Sequence, residues 1–300
     1  MGKHRPFSHS QPVPESVAVS FVNCVGNTLA GTVSDLRISR FQPCSNRIGW
    51  FVDRAGGFTQ GIPKSSQQTE AVNPEKLIAN AATNSECLDL MHRLMAYRHE
   101  PAHSELMKVR KEYSMLHLDV LILIYHFAKV CTGAILEIGA FVGGATIAAA
   151  RGIRESGQGK KLIAVEPGGS VKHKRLGTRN ILHDLERNLA RERVANMVTL
   201  IKGQSFKPET VSAVRQALGS DQVGLLVLDA DAAKRRDVDC YRDRFAAGCW
   251  IVIDDIYGTD ANEKITRSRA DVDRLVAEGL LKPLGFYGWS TWVGRWRGTD

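Results

Sequence analysis

The sequence predicts a doubly wound, Rossmann-like α/β domain whose seven-stranded sheet closes with a C-terminal antiparallel hairpin. Short runs that are apolar throughout alternate with helical segments from about residue 135 onward, which is typical of a parallel sheet covered on both faces. The first of these runs leads directly into a glycine turn at residues 139–144, as in folds that open the backbone to a ligand. Two further β-prone runs at the end of the chain lie close enough together to form a hairpin.

The predicted elements follow one another in a regular order. Residues 74–130 are expected to form helices, the last of which leads into the first strand and covers the ligand site as a lid. The elements after it are a strand that ends at Ile138, a small-residue helix, a strand at Lys161–Glu166, a helix at Asn180–Arg193, a strand at Met197–Lys202, a helix at Glu209–Leu218, a strand at Gly224–Asp229, a helix to about Ala246, a strand at Cys249–Asp255, and hairpin strands at Leu281–Gly288 and Ser290–Trp296. The hairpin turns at Gly288 and Trp289.

The first 73 residues differ from the rest in pattern. Four short β-prone runs are separated by Gly, Asn, Pro and Ser, and they predict a small antiparallel unit. These runs are Ser16–Val22, Thr28–Val33, Leu36–Phe41 and Ile48–Val52. The polar stretch Gln60–Asn73 is typical of a linker. We therefore expect a β-rich accessory region at 1–73 and the main domain at 74–300.

Composition predicts a soluble enzyme without selecting one. The chain has 300 residues, 43% of them hydrophobic, which is enough for one full domain and a smaller piece. The apolar stretch at residues 120–125 is too short to cross a bilayer, and the N-terminus lacks the apolar core of a signal peptide. Six cysteines without close pairing favour a reducing cytoplasm.

The glycine turn is informative about the kind of ligand. Its spacing places Phe141 where a dinucleotide fingerprint has its second glycine, so a pyrophosphate would fit poorly. The strand before it carries an acid, Glu137, and the next strand ends in another, Glu166. Glu166 is placed to accept both hydroxyls of a ribose in bidentate fashion, or else it is a solvated turn carboxylate before Pro167.

The positions of Glu137, Gly139 and Gly143 resemble the first motif of class I S-adenosylmethionine-dependent methyltransferases. The resemblance spans about residues 105 to 297 and includes the closing antiparallel strand. It implies S-adenosylmethionine as cofactor, whose sulfonium and ammonium charges suit carboxylates. The residues that it assigns to this cofactor are Glu137, Gly139, Phe141, Gly143, Glu166, Gln204, Ser205 and Asp229. Of these, Gln204 and Ser205 are expected to border the adenine.

Three acids follow neighbouring strands of the predicted sheet. Asp229 ends one strand, and Asp254 and Asp255 end the next. Neighbouring parallel strands lie about 4.8 Å apart, so these carboxylates can converge on one hard cation such as Mg²⁺. In this the chain resembles the metal-dependent O-methyltransferases of the catechol and caffeoyl-coenzyme A type, whose third ligand is usually Asn rather than Asp. The alternative is that the aspartates only cap the following turns and helix.

The general base is left open by the sequence. Asp231 matches the second acid of the Asp-Ala-Asp-Lys sequence of the plant-type enzymes, but Ala232 stands in place of the lysine. Lys234 is a candidate if burial depresses its pKa, and Asp231 is another. The alternative places Lys234 with its two following arginines on a solvated helix face. His173 and His183 are weaker candidates.

Together these observations predict a Mg²⁺-assisted, S-adenosylmethionine-dependent O-methyltransferase that acts on a hydroxyl of a small natural product, sugar or phenol. Two alternatives are a binding protein that has lost turnover, and a different reaction in the same pocket, as in the cephalosporin-modifying relatives. The net charge of +8 also raises nucleic acid as substrate. It is not expected, since the basic clusters lack interleaved aromatics and the Asn/Asp-Pro-Pro-Tyr/Phe signature is absent. Whether the chain is a homo-oligomer stays open.

Overall fold

The computed structural model describes residues 21–22, 28–29, 74–258 and 262–298. The chain divides into two units, Met1–Ala71 and Val72–Asp300. In the first unit, strands β1 (Phe21–Val22) and β2 (Thr28–Leu29) pair antiparallel, with Phe21 opposite Leu29. They fall within the first two β-prone runs. The other two runs and the linker lie outside the described residues, so the accessory role of 1–73 stays a prediction.

The second unit contains a seven-stranded sheet with helices on both faces. Its helices are α1 (Pro74–Tyr97), α2 (Pro101–Tyr113), α3 (Leu118–Val130), α4 (Gly144–Ser156), α5 (Ile181–Arg191), α6 (Pro208–Leu218), α7 (Lys234–Tyr241) and α8 (Glu263–Ala277). Its strands are β3 (Ala134–Ile138), β4 (Leu162–Glu166), β5 (Val198–Lys202), β6 (Val223–Leu228), β7 (Phe245–Ile253), β8 (Leu281–Tyr287) and β9 (Thr291–Trp296). The strand order is β5-β4-β3-β6-β7-β9-β8.

The pairing of the strands confirms the predicted architecture. Strands β3 to β7 pair in parallel, whereas β9 runs antiparallel to both β7 and β8. Strands β3, β4 and β6 are buried at every residue, because α3 and α4 cover one face and α6, α7 and α8 the other. The carboxyl ends of the five parallel strands therefore share one edge of the sheet, which also receives the β8–β9 turn.

The helix after Asp229 ends earlier than the sequence predicts, which is at about Ala246. Helix α7 stops at Tyr241, a 3₁₀ turn follows, and β7 already begins at Phe245, four residues before the predicted strand. Phe245 is buried against the ring of Trp296, and the pairing with β6 shifts register before Trp250. Packing onto β9, which is distant in sequence, thus extends the strand.

Helix α3 is a core helix rather than a lid. Residues Val120–Ala128 are all buried, and α3 packs against α4. Within residues 74–258 and 262–298, no single helix is long and apolar enough to cross a membrane. Helices α2 and α3 reach that length and hydropathy only when joined, and they bend by 119° at their junction.

Candidate functional site

The glycine turn between β3 and α4 brings two strand ends into direct contact. Gly139 has φ +91°, and a Cβ at this position would lie 2.4 Å from the carbonyl oxygen of Asp229 at the end of β6. Gly143 has φ +101° and directly precedes α4. Any side chain at Gly139 would collide with backbone, so the turn requires glycine there.

Glu166 fastens this turn to the end of β4. Its Oε2 accepts the backbone N–H of Phe141 and its Oε1 accepts that of Gly168, both at 2.8 Å. The carboxyl group is 5% exposed, so the alternative of a solvated turn carboxylate is wrong. Burial raises its pKa, and the two backbone donors oppose that rise. Each oxygen keeps a second lone pair for a ligand hydroxyl.

Glu137 lies within β3, two residues before Gly139. It is 2% exposed, and the Thr146 hydroxyl of α4 donates to its Oε2 at 2.6 Å. Burial raises the pKa of Glu137 to about 8, the charge of Glu166 adds to the rise, and the Thr146 hydrogen bond opposes it. The carboxyl therefore favours its protonated form at neutral pH, and a cation nearby would reverse this preference.

The end of β5 contributes Gln204 and Ser205. The Ser205 hydroxyl is buried and donates to Asp237 of α7 at 2.8 Å, whereas Gln204 is exposed. The hydroxyl of Ser205 is thus engaged within the protein, while the Gln204 side chain faces solvent. Their predicted place beside an adenine stays a prediction.

The three predicted acids lie together at the ends of β6 and β7. One carboxylate oxygen from each of Asp229, Asp254 and Asp255 lies within 4.8 Å of the others. Burial raises the pKa of Asp229 well above its usual range, and the charge of Asp254 adds to the rise. Asp229 does not cap α7, since that helix begins after Ala233 without a side-chain cap. Capping therefore does not explain its position.

Partners from other elements hold Asp254 and Asp255. The hydroxyls of Ser290 and Thr291, at the β8–β9 turn, donate to Asp254 Oδ1 at 3.0 and 2.6 Å. Asp255 has the rare positive φ of 61°, and its Oδ2 lies 2.5 Å from Nζ of Lys264 on α8. Left-handed backbone at a non-glycine residue is kept where the surrounding structure imposes it, often at functional sites.

Lys234 is buried, contrary to the solvated-face alternative. It is fully covered, and its Nζ has no hydrogen-bond partner. Burial lowers the pKa of Lys234, and the charge of Asp229 is the largest opposing influence. A buried ammonium without a partner is costly, so burial shifts Lys234 toward its neutral form.

The other candidate bases are engaged elsewhere. Asp231 is exposed, accepts the Ala233 N–H at 2.9 Å and pairs with Arg236 at 3.1 Å. These partners outweigh burial and lower the pKa of Asp231. His173 accepts backbone N–H groups of its own loop, and His183 lies 3.5 Å from Asp184. Asp231 is thus engaged by other groups, whereas the Lys234 amine has no hydrogen-bond partner, and the identity of the base stays a prediction.

Sequence reasoning missed three residues of this site. Lys264, Ser290 and Thr291 contact the acids, yet no local motif joins them to Asp254 or Asp255. The only available signal was topological. A closing hairpin next to β7 places its turn at the carboxyl edge of the sheet, beside the acids.

Part of the chain matches a model of a known protein family. Residues 136–256 match a model described as a methyltransferase domain. That segment contains the glycine turn, Glu166, Lys234 and the three acids. A comparison with curated protein sequences finds no match.

Solved structures resemble the chain in fold. Cofactor-bound Rv0187 from MTB is 16% identical, with 77% of this chain and 100% of that chain covered and a TM-score of 0.51. A Staphylococcus aureus protein provisionally named a caffeoyl-CoA O-methyltransferase is 14% identical, with 70% and 99% covered and a TM-score of 0.50. At these identities the two likenesses establish the fold.

Proposed function

We propose that this chain methylates a hydroxyl of a small acceptor with help from a divalent cation. Its sheet and the match over residues 136–256 support a class I S-adenosylmethionine-dependent methyltransferase. One observation supports the proposal above the others. The glycine turn abuts the backbone of Asp229, so the turn that would hold the cofactor adjoins the acids that would hold the acceptor. Reacting groups must be brought close together and aligned for methyl transfer.

The cofactor supplies the methyl group, and the residues of the turn would hold it. The free lone pairs of Glu166 would accept the ribose hydroxyls, while its bonds to Phe141 and Gly168 keep its orientation fixed. Gly139 leaves the backbone open for close approach. Glu137 places a carboxyl where the positive charge of the cofactor would favour ionisation. Phe141 would line the pocket.

The three acids fit a hard divalent cation. Carboxylate oxygens are the preferred ligands of Mg²⁺. Burial, and after it the charge of Asp254, raise the pKa of Asp229, and a cation among the three acids would offset both effects. Lys264 now neutralises part of that charge at Asp255. When bound, such an ion lowers the pKa of an acceptor hydroxyl and fixes its oxygen.

Lys234 would complete the deprotonation of the acceptor. Its buried Nζ has a lowered pKa and a free lone pair in the neutral form. The neutral amine would accept the hydroxyl proton at Nζ, and the resulting ammonium would be stabilised by Asp229, whose charge favours it. Placement of the oxygen in line with the methyl group, and exclusion of water, would supply most of the remaining acceleration.

Labelled methyl transfer tests this proposal directly. We would incubate the protein with S-adenosylmethionine carrying a labelled methyl group and a panel of phenols, sugars and alcohols, with Mg²⁺ or with a chelator. We expect transfer that falls at least 100-fold in the chelator and in Asp229→Asn, with cofactor affinity changed less than threefold. The matched control is Asp273→Asn, an exposed acid of α8.

The possible failures are distinguishable. Full transfer in the chelator would remove the metal from the proposal and leave the methyltransferase. Absence of binding of S-adenosylmethionine, measured calorimetrically, would contradict the cofactor and with it the proposed function.

A further inference from the structure

We infer that a cationic surface beside the carboxyl edge of the sheet binds an oxyanion group of the acceptor, such as a phosphate or carboxylate. The inference rests on the proposed function and adds a substrate class to it. The cationic surface consists of residues from the end of α2 and from the loop after β4, namely Arg110, Lys111, Lys172, Lys174, Arg175 and Arg179.

The loop that carries four of these residues is held firmly. Val171 and Thr178 exchange backbone hydrogen bonds of 2.9 Å in both directions. Arg175 donates to three backbone carbonyls at the end of α2, those of Arg110, Lys111 and Ser114, at 2.8 to 3.1 Å. Arg175 therefore joins the loop to α2 and brings the cations of both elements onto one surface.

The loop lines an open cleft of about 670 Å³ that carries basic side chains, and this volume lies in the size range of small-molecule sites. The cleft is lined by Ser170, Val171, Lys172, His173, Lys174, Gly177, Thr178 and Arg179. No carboxylate is among them. The acid nearest in contact, Asp184, is engaged by the Thr178 hydroxyl at 2.5 Å and by Arg187 at 2.9 Å.

The cations of the cleft are available to a ligand. Among the described residues, Lys172, Lys174 and Arg179 have no acidic partner within 4.0 Å, whereas Lys161, Lys202 and Arg215, for example, do. Unpaired cations that converge on one cleft raise the local concentration of anions. Arginine in particular matches the geometry of phosphate and carboxylate.

Arg110 connects this surface to the acid site. Its Nε is buried without a hydrogen-bond partner, and its guanidinium carbon lies 5.3 Å from the ring centroid of Trp289. Trp289 is 62% exposed and directly precedes Ser290, whose hydroxyl donates to Asp254. An unsatisfied buried donor costs free energy until a ligand accepts from it. Arg110, whose carbonyl accepts from Arg175 of the loop, and Trp289 thus form a chain of contacts between the loop and Asp254.

Oxyanion recognition explains this arrangement better than nucleic-acid binding. Among the described residues, the cation–aromatic contact of this surface is that of Arg110 with Trp289, and a platform for stacking successive bases requires several aromatic rings. The cleft is also lined by one short loop, so it suits one charged group rather than a long backbone.

Calorimetric titration with inorganic pyrophosphate at low ionic strength tests the binding site itself. We expect the triple variant Lys172→Gln/Lys174→Gln/Arg179→Gln to weaken binding at least tenfold. The matched control Arg98→Gln/Arg274→Gln/Arg297→Gln removes the same charge from exposed positions elsewhere and should change binding less than twofold. The inference would be overturned if the control weakened pyrophosphate binding equally, or if the unaltered protein did not bind pyrophosphate. It would also be overturned if the triple variant weakened binding of RNA but not of pyrophosphate.

Competition between pyrophosphate and the acceptor then shows whether the cleft binds an oxyanion group of the acceptor or a separate anion. With the concentration of free Mg²⁺ held constant, pyrophosphate should inhibit transfer competitively with the acceptor, and noncompetitive inhibition would contradict the inference. Among matched acceptors, 3,4-dihydroxybenzoate should have a lower KM than catechol, and Arg110→Met should abolish that advantage. Failure of the proposed function would instead appear as absent cofactor binding, which pyrophosphate titration does not require.

Discussion

Burial drives four ionisable side chains of the site toward their uncharged forms. The pKa values of Glu137, Glu166 and Asp229 are raised, and that of Lys234 is lowered. A cationic cofactor and a divalent ion would reverse this trend by favouring the carboxylates. Binding of both should therefore release protons.

Replacement of Glu137 tests this shift through the pH dependence of stability. Burial raises the pKa of Glu137 from its usual 4.5 to about 8 in the folded protein. The contribution of this carboxyl to the free energy of unfolding therefore decreases as pH rises from 4.5 to about 8. Glu137→Gln removes the titration and keeps an acceptor for Thr146. We expect the free energy of unfolding of the variant, relative to the unaltered protein, to increase from pH 5 to pH 8 by at most about 1.4 kcal/mol per pH unit. Denaturant unfolding at pH 5, 6.5, 8 and 9 measures it, and a constant difference would contradict the shift.

The role proposed for Lys234 in chemistry is separable from the effect of its side chain on stability. Lys234→Met removes an unpartnered buried amine, so we expect an unchanged or higher free energy of unfolding. Transfer should fall by about 10²- to 10⁴-fold, the usual loss of a general base. Lys129→Met, at the surface end of α3, should leave transfer unchanged. A stable Lys234→Met variant with full activity would exclude Lys234 as the base.

At the scale of elements, the site depends on how closely strand ends approach. The turn after β3 passes against the end of β6 at Gly139, and the β8–β9 turn reaches Asp254. Helix α8 extends Lys264 toward Asp255. The contacts of Gly139 and Asp254 join segments that are far apart in sequence, whereas Lys264 and Asp255 are close in sequence. Movement of one element therefore displaces a side chain on another.

Alanine at Gly139 should destabilise the protein by more than about 2 kcal/mol, because it adds a collision with the Asp229 carbonyl to the strain of a positive φ. Gly157→Ala is the matched control. Gly157 also has positive φ, but nothing lies within 4 Å of its added Cβ, so the loss should be about 1 kcal/mol. Denaturant unfolding compares them, and equal losses would contradict the role of close approach.

Lys264 should act as a competitor of the metal. Lys264→Met leaves Asp255 without its counter-ion, so we expect about tenfold tighter binding of Mn²⁺, equivalent to about 1.4 kcal/mol. Arg267→Met, an exposed cation of the same helix, should leave the affinity within twofold. Weaker binding in Lys264→Met than in the control would show that Lys264 supports the site instead. Calorimetric titration measures the affinity without any turnover.

At the scale of the whole molecule, every element of the sheet and every residue of the candidate site lies in the second unit. The unit Val72–Asp300 contains both the glycine turn and the acids. Its edge strand β8 is linked to α1 by Lys282, which pairs with Glu86 at 3.0 Å. The lead-in helices are therefore part of the domain rather than a separate cover.

Removal of the first unit should leave the cofactor site intact. We expect a chain of residues 72–300 to unfold cooperatively and to bind S-adenosylmethionine within threefold of the full chain, because the described site residues all lie within it. Calorimetric titration compares the two chains. Loss of cofactor binding by a folded 72–300 chain would assign the first unit a direct role in the site.

Local patterns alone determined the parallel sheet, the closing hairpin, the glycine turn and the meeting of Asp229 with Asp254 and Asp255. Apolar periodicity and strand-end chemistry are encoded in consecutive residues, and parallel topology then brings strand ends to one edge. Tertiary structure decided the early start of β7, the burial of Lys234 and the pairing of Lys264 with Asp255. The first two outcomes depend on packing between distant segments, and the third depends on where α8 lies relative to the end of β7. No short stretch of sequence specifies either.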